Sequence, residues 1–440
     1  MTKFFVRQVK AIMFLLALMV FAVPGAMAAE ISPQDVIQSW YKLMLELVRH
    51  TPTYTPPVAS RSFAYLGVTA FETVASGATD MRSLAGQLNE LKTVPERAKG
   101  KPYDETVVLQ SALAAAAHDY FSNTGPSGQR AMNALEVKLR AQVSTNLKHD
   151  VVMRSEAYGK LVAAHIFKWS RGDGGADIKN MGFNADYKLI EGPAHWVPTN
   201  HIGLQQTPLL PSWGKNRPFA MPAGTTCPLP PPPAYSEDKN SEFYKQALEV
   251  YQTSKTLTPD QRMIAKFWAD DAMLSTTPPG HWISIALQIF DRDKTDLHKS
   301  VDVMARLGVV LGDAFIGCWD AKYQYDLVRP ITYIKRVIDP KWETLLNTPP
   351  FPEYPSGHST QSGAAATVMT NLFGDNFAFS DNTIAADGIP ARQFKDFWAA
   401  ANDAGISRMY GGIHFRAAID QGLSQGRCIG QFTNALKTKR

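Results

Sequence analysis

Apolar residues recur every three to four positions along most of this chain, and that spacing limits its possible folds more than any other feature. Ser32-Pro33 has the form of an N-cap followed by proline at the first helical position, where a missing N–H costs nothing, and it predicts a helix to about Arg49. Helices are expected likewise over 59–75, 105–120, 130–142 and 151–169, the last stopped by Gly172-Asp173-Gly174-Gly175. Later ones are expected at 241–253, from Thr258-Pro259 onward, and over 283–290, 297–315, 318–337, 359–372, 391–404 and 416–437. Period-two alternation is scarce, so the chain reads as all-α, a helical bundle.

The helical pattern fails between 182 and 240. Prolines are frequent there and end in Pro228-Leu229-Pro230-Pro231-Pro232-Pro233. Proline lacks a donor and fixes φ, so this stretch must be irregular or extended. Trp196, Trp213 and Phe219 lie among the prolines, and aromatic residues favour packing over solvation. A loop that wraps the helical body is therefore expected in preference to a free linker. The resulting division is an N-terminal helical region over 29–181, the proline-rich loop over 182–240 and a C-terminal helical region over 241–440, with 29–440 forming one unit.

Residues 1–28 stand apart from this scheme. Lys3, Arg7 and Lys10 precede an apolar run over 11–23, and Ala26-Met27-Ala28 puts small residues where a signal peptidase reads them. The run is shorter than the roughly 20 residues that a bilayer-spanning helix needs. Cleavage after Ala28 and an exported, periplasmic or extracellular product are expected, with no membrane span in the mature chain. Removing these three cations takes the formal charge from +5 to +2. Without a basic block, nothing points to nucleic acid. Cys227, Cys318 and Cys428 allow at most one internal disulfide, their spacing names no pair, and they do not form a zinc pattern.

Three C-terminal pieces carry chemistry. Lys322 and Arg329 are seven residues apart, which on one helix would point both cations from one face, and Pro330 follows at once. Pro355-Ser356-Gly357-His358 precedes the small-residue run 359–370. A helix starting there offers free N–H groups and its positive dipole end to an anion, with a serine hydroxyl and a glycine that lets the backbone approach. Ser407-Arg408-Met409-Tyr410-Gly411-Gly412-Ile413-His414 adds a planar guanidinium and a second imidazole beyond a glycine turn. Singly each piece is an ordinary basic face, cap or turn. Together they supply the donors and the two imidazoles that a site for a tetrahedral oxyanion requires.

As a set, these pieces resemble the signature of the vanadium-dependent haloperoxidases, shared with type 2 phosphatidic acid phosphatases and bacterial acid phosphatases. Trp319 and Phe351 resemble the aromatic halide wall of the chloroperoxidase-like members, and Phe267-Trp268-Ala269-Asp270-Asp271 and Thr277-Pro278-Pro279-Gly280-His281-Trp282 are also similar to family sequence. The resemblance implies a haloperoxidase-like helical core. It further implies that Lys322, Arg329, Ser356, Gly357 and Arg408 hold vanadate oxygens, that His414 is the one protein ligand to vanadium, and that His358 is the acid–base group. Asp271 is the expected partner of Arg408, whereas His281 receives no role. One departure stands out: the family's aspartate four residues after the last histidine is Ala418 here, and Asp420, rotated by about 200° on an ideal helix, does not replace it.

The favoured function is oxidation of halide by hydrogen peroxide at a vanadate site. The alternative is an acid phosphatase cleaving a phosphate ester through a nucleophilic His414, which the missing aspartate weakens. A non-catalytic oxyanion-binding protein is the third reading, and the two histidines speak against it. The partners are thus small molecules, with a homo-oligomer left open.

Overall fold

The computed structural model describes residues 31–199 and 207–440. The expected export segment 1–28 and His201 lie outside the described residues. Among these residues, regular structure consists of thirteen α-helices and one two-stranded hairpin, so the fold is all-α as its periodicity implies. Five helices form the N-terminal part: α1 (Pro33–Arg49), α2 (Pro56–Ala75), α3 (Glu105–Tyr120), α4 (Gly125–Val143) and α5 (His149–Ser170). Ser32 caps α1 reciprocally with Asp35, which satisfies two donors that a helix start leaves open.

The C-terminal part contains α6 (Glu242–Thr256), α7 (Pro259–Phe267), α8 (Thr277–Asp293), α9 (Leu297–Tyr325), α10 (Pro330–Val337) and α11 (Gly357–Phe373). The hairpin β1 (Phe379–Asp381) and β2 (Arg392–Phe394) and the helices α12 (Phe397–Tyr410) and α13 (Arg416–Asn434) follow. The helix expected over 391–404 thus starts later, at an Asp396 cap, because its first residues pair as a strand too short to show alternation.

The long helix α9 is the axis of the molecule, buried along nearly its whole length from Ser300 to Lys322. It packs on α2 from the N-terminal part and on α11 and α13 from the C-terminal part. Glycines set these distances. A Cβ on Gly308 would lie 2.8 Å from the Phe63 carbonyl oxygen, and one on Gly426 would lie 2.1 Å from that of Thr360, so neither helix pair tolerates a side chain there.

Among the described residues between Phe183 and Ser241 there is no α-helix, only short single turns, and this proline-rich segment packs its aromatic residues onto the bundle. Trp196, Trp213 and Phe219 are buried. The buried Asp313 carboxylate of α9 accepts from the backbone N–H groups of Phe219, Ala220 and Met221. A disulfide then ties Cys227 to Cys428 of α13 across 201 residues, while Cys318 is free and buried. A cross-link of this reach contributes about 2–5 kcal/mol.

Candidate active site

The first cationic piece does not lie on one helix. Helix α9 stops at Tyr325, where Asp326 turns left-handed (φ 44°), and Arg329, whose helical geometry the following proline disfavours, is extended (φ −79°, ψ 152°) as the cap of α10. The proline-rich loop braces this break. Trp196 N–H donates to the Asp326 carbonyl and Val328 N–H to that of Ala194, while His195 Nδ1 lies 3.2 Å from the Asp326 carboxylate. The two cations nevertheless converge, and both are fully buried.

Arg329 donates from Nε to the Phe351 carbonyl (2.9 Å) and from Nη1 to that of Ile413 (2.9 Å), while its buried Nη2 has no protein partner. Lys322 is placed otherwise than its sequence position suggests. Its three donors go to the carbonyls of Pro352, Glu353 and Pro355, so it braces the segment leading to Ser356. Burial pushes Lys322 down to about 7, with repulsion from Arg329 adding to the effect, and Arg329 down to about 10, with repulsion from Arg408 adding to it.

Ser356 caps α11, its Oγ accepting from Ser359 N–H while its hydroxyl proton stays available. A Cβ on Gly357 would meet only Trp319 and Phe315, at 3.7 and 3.9 Å, so packing alone does not demand glycine there. Gly357 lines the cavity together with Asp271, Phe315, Trp319, Phe351, His358, Arg408 and His414, and the space that a Cβ would take is space for a ligand. Arg408, in the last turn of α12, is clamped by the carbonyls of Trp268 and Ala269 and by the Ser407 hydroxyl, and its Nη1 lies 3.3–3.4 Å from the His358 ring. Burial lowers it to about 10.

The expected pairing of Asp271 with Arg408 is not made; Asp271 lines the cavity and accepts from Asn347 (3.4 Å). Its neighbour Asp270, which the sequence reading passed over, is the buried acid, with Oδ2 3.5 Å from His358 Nε2. Trp319 and Phe351 do pack together beside the cavity, their rings tilted at 52° with centroids 4.8 Å apart. The wrapping loop holds this wall through the Leu209 carbonyl, which accepts from Trp319 Nε1 and the Tyr323 hydroxyl.

The gap left by Ala418 is filled from elsewhere in the chain. Glu353 Oε1 lies 2.9 Å from His414 Nδ1 and also accepts from Phe415 N–H. A guanidinium can only donate, so His414 Nε2, 3.2 Å from Arg329 Nη1, presents its lone pair to the site, and Nδ1 carries the proton toward Glu353. Burial, with Arg329, Lys322 and Arg408 nearby, holds His414 well below the usual histidine value. The turn after His414 holds no such acid; Glu353 lies instead within the Pro-Phe-Pro-Glu-Tyr-Pro-Ser-Gly-His run. Asp420 is exposed on α13 and is not involved.

This arrangement can be set against known proteins. A family model described as the VCPO second helical-bundle domain matches residues 302–439, a span that contains Lys322 through His414. The crystal structure of a bacterial vanadium-dependent iodoperoxidase is 38% identical, with a TM-score of 0.83, over 92% of this chain and 97% of that one. The chain belongs to the vanadium-dependent haloperoxidase family. A bacterial vanadium-dependent chloroperoxidase shares the fold at 15% identity (TM-score 0.67; 87% of this chain and 94% of that one). The vanadium chloroperoxidase of Curvularia inaequalis is 25% identical over 220 residues, and that match spans 36% of each chain. Within this haloperoxidase fold Gly357, His358, Arg408 and His414 line one cavity, and Arg329 meets it through His414.

Proposed function

We propose that this haloperoxidase-family chain binds vanadate and oxidises halide with hydrogen peroxide. The observation that carries the reading is the placement of His414. Its Nδ1 is pinned by Glu353 and its Nε2 lone pair faces a cradle of cationic donors, which is the state a metal-ligating imidazole needs. The donor set fits an oxyanion: the orphaned Arg329 Nη2, the Ser356 hydroxyl, the open backbone at Gly357 and the α11 N-terminus converge with two further cations.

In this reading His414 Nε2 would ligate vanadium, while Arg329, Ser356, Gly357 and Arg408 would hold the oxygens, with Lys322 offsetting their charge. Bound vanadate would supply a Lewis acid that activates peroxide toward attack by halide. His358 is the reachable imidazole, with 15% of its side chain exposed against 3% for His414, and it would move the proton. Burial and Arg408 hold it down to about 4, so the free site keeps it neutral and an approaching anion raises its affinity for a proton. Trp319 and Phe351 would shield the halide side from water. Iodide is the first halide to assay, since the 38%-identical relative is an iodoperoxidase.

We also place the protein outside the cytoplasm. The N-terminal segment and the Cys227–Cys428 disulfide, which forms in oxidising compartments, support this. The deciding experiment pairs two assays on purified protein: halide-dependent peroxide consumption with added vanadate, and phosphate ester hydrolysis without it. Vanadate-dependent turnover of halide is expected. Because Glu353 fixes the His414 tautomer, Ala418 no longer argues against a nucleophilic histidine, so ester hydrolysis alone would overturn the proposal in favour of a phosphatase.

A further inference from the structure

Four ionisable side chains from four segments form a line that starts at the cavity and runs inward. His358 of α11 comes first, then Asp270 in the turn after α7, His281 in the first turns of α8, and Asp381 at the end of β1. His281 Nδ1 lies 2.9 Å from Asp270 Oδ1 and its Nε2 2.8 Å from Asp381 Oδ2. All three of these side chains are essentially inaccessible to solvent. Both ring nitrogens face carboxylates, so both carry protons. Burial works against that charge, but the two carboxylates outweigh it and raise His281 to about 10. The Trp268 ring stacks on the imidazolium at 4.4 Å. Asp381 is itself anchored, its Oδ1 accepting from the N–H and hydroxyl of Thr383.

A buried ion triad is weak evidence for stability, since hydrophobic packing does that work at least as well. One unmet acceptor shows what the triad is for. Asp270 Oδ2 is buried without a hydrogen bond and lies 3.5 Å from His358 Nε2. The charged groups facing His358 are Asp270, Arg408 and, further off, His281, with the neutral ring of His414 beyond. Arg408 Nη1 is nearly equidistant from the two ring nitrogens (3.4 Å to Nδ1, 3.3 Å to Nε2) and can only donate, so Asp270 is the carboxylate placed to take the Nε2 proton. A lone Asp270 in this buried turn would be driven by desolvation toward its neutral form and could rotate to Arg408. Its left-handed backbone (φ 50°) aims the carboxylate inward, where His281 captures Oδ1.

We propose that His281 is a positioning residue for His358: held at Nε2 by Asp381, it locks Asp270 so that Oδ2 receives the Nε2 proton of His358, which leaves Nδ1 of that ring to exchange protons with the bound oxyanion. The inference rests on the acid–base role read for His358 above, and on nothing else in that reading.

The test compares His281→Gln, whose amide mimics Nε2 and abandons Asp270, with His281→Asn, whose amide mimics Nδ1 and keeps it. Two readouts are used: the ring 15N shifts of His358 in vanadate-free protein, and kcat and KM for peroxide with vanadate. The Nε2-protonated tautomer should dominate in the wild type and become mixed in His281→Gln. That variant should lose about tenfold or more in kcat with KM within twofold, as removal of an outer partner of a site residue does, and His281→Asn should recover most of the loss. Unchanged His358 shifts, or equal losses in both variants that merely track a lowered Tm, would overturn the proposal. If neither variant folds, Asp381→Asn should move the same shifts in the same direction by less, and no movement counts against it. A wild type without vanadate-dependent turnover would sink the functional reading alone, because the tautomer measurement needs no loaded enzyme.

Discussion

The two sides of the cavity hold their imidazoles in opposite ways. On one side His414 has a single carboxylate behind it and three cations around it, so its ring is kept neutral with one lone pair forward. On the other side His358 ends a buried line of alternating carboxylate and imidazole, and its ring is partly open to the cavity. One mount suits a ligand that must never be protonated; the other suits a group that must gain and lose a proton. The difference teaches that the roles proposed for the two histidines follow from what stands behind each ring and not from the ring itself.

Four measurements would break or sharpen that contrast. His414→Ala should reduce vanadate-dependent turnover to background and remove vanadate binding, as followed by titration; retained binding would break the ligand assignment outright. His358→Ala should lower kcat on the order of 10²-fold or more yet leave vanadate affinity within a few-fold, and a parallel loss of both would merge the two roles. Glu353→Gln should do the reverse, weakening vanadate by about 10–100-fold with a smaller effect on kcat of the saturated enzyme. The smallest effect is in pH. Lys322 in the anion-free protein sits at about 7 through burial, so it is charged below that value and discharges above it. An anion favours the charged form, and affinity should therefore fall as pH rises through 7, by at most about tenfold per unit for one proton. A flat profile from pH 6 to 8 would show that Lys322 keeps its charge without the anion.

Much of this was legible in the residues themselves. Helix positions follow from the apolar spacing, and the wrapping loop from its prolines and buried tryptophans. The motif pieces marked Arg329, Ser356, Gly357, His358, Arg408 and His414 as one site because their chemistry makes sense only in common. What failed was local extrapolation. Lys322 and Arg329 were read onto one helix, yet Pro330 breaks the geometry just before itself. Asp271 was chosen over Asp270, although a left-handed turn decides which of two adjacent carboxylates points inward. The short hairpin at Phe379–Asp381 was invisible, and with it Asp381.

The sequence by itself determined the fold class and the order of the donor groups that the proposed anion site uses, because these depend on residue type and on periodicities a few residues long. Only the tertiary structure decided which acid stands behind which histidine. Glu353 meets His414 across 61 residues and Asp381 meets His281 across 100, distances over which no local rule acts and only the packed chain brings the groups together.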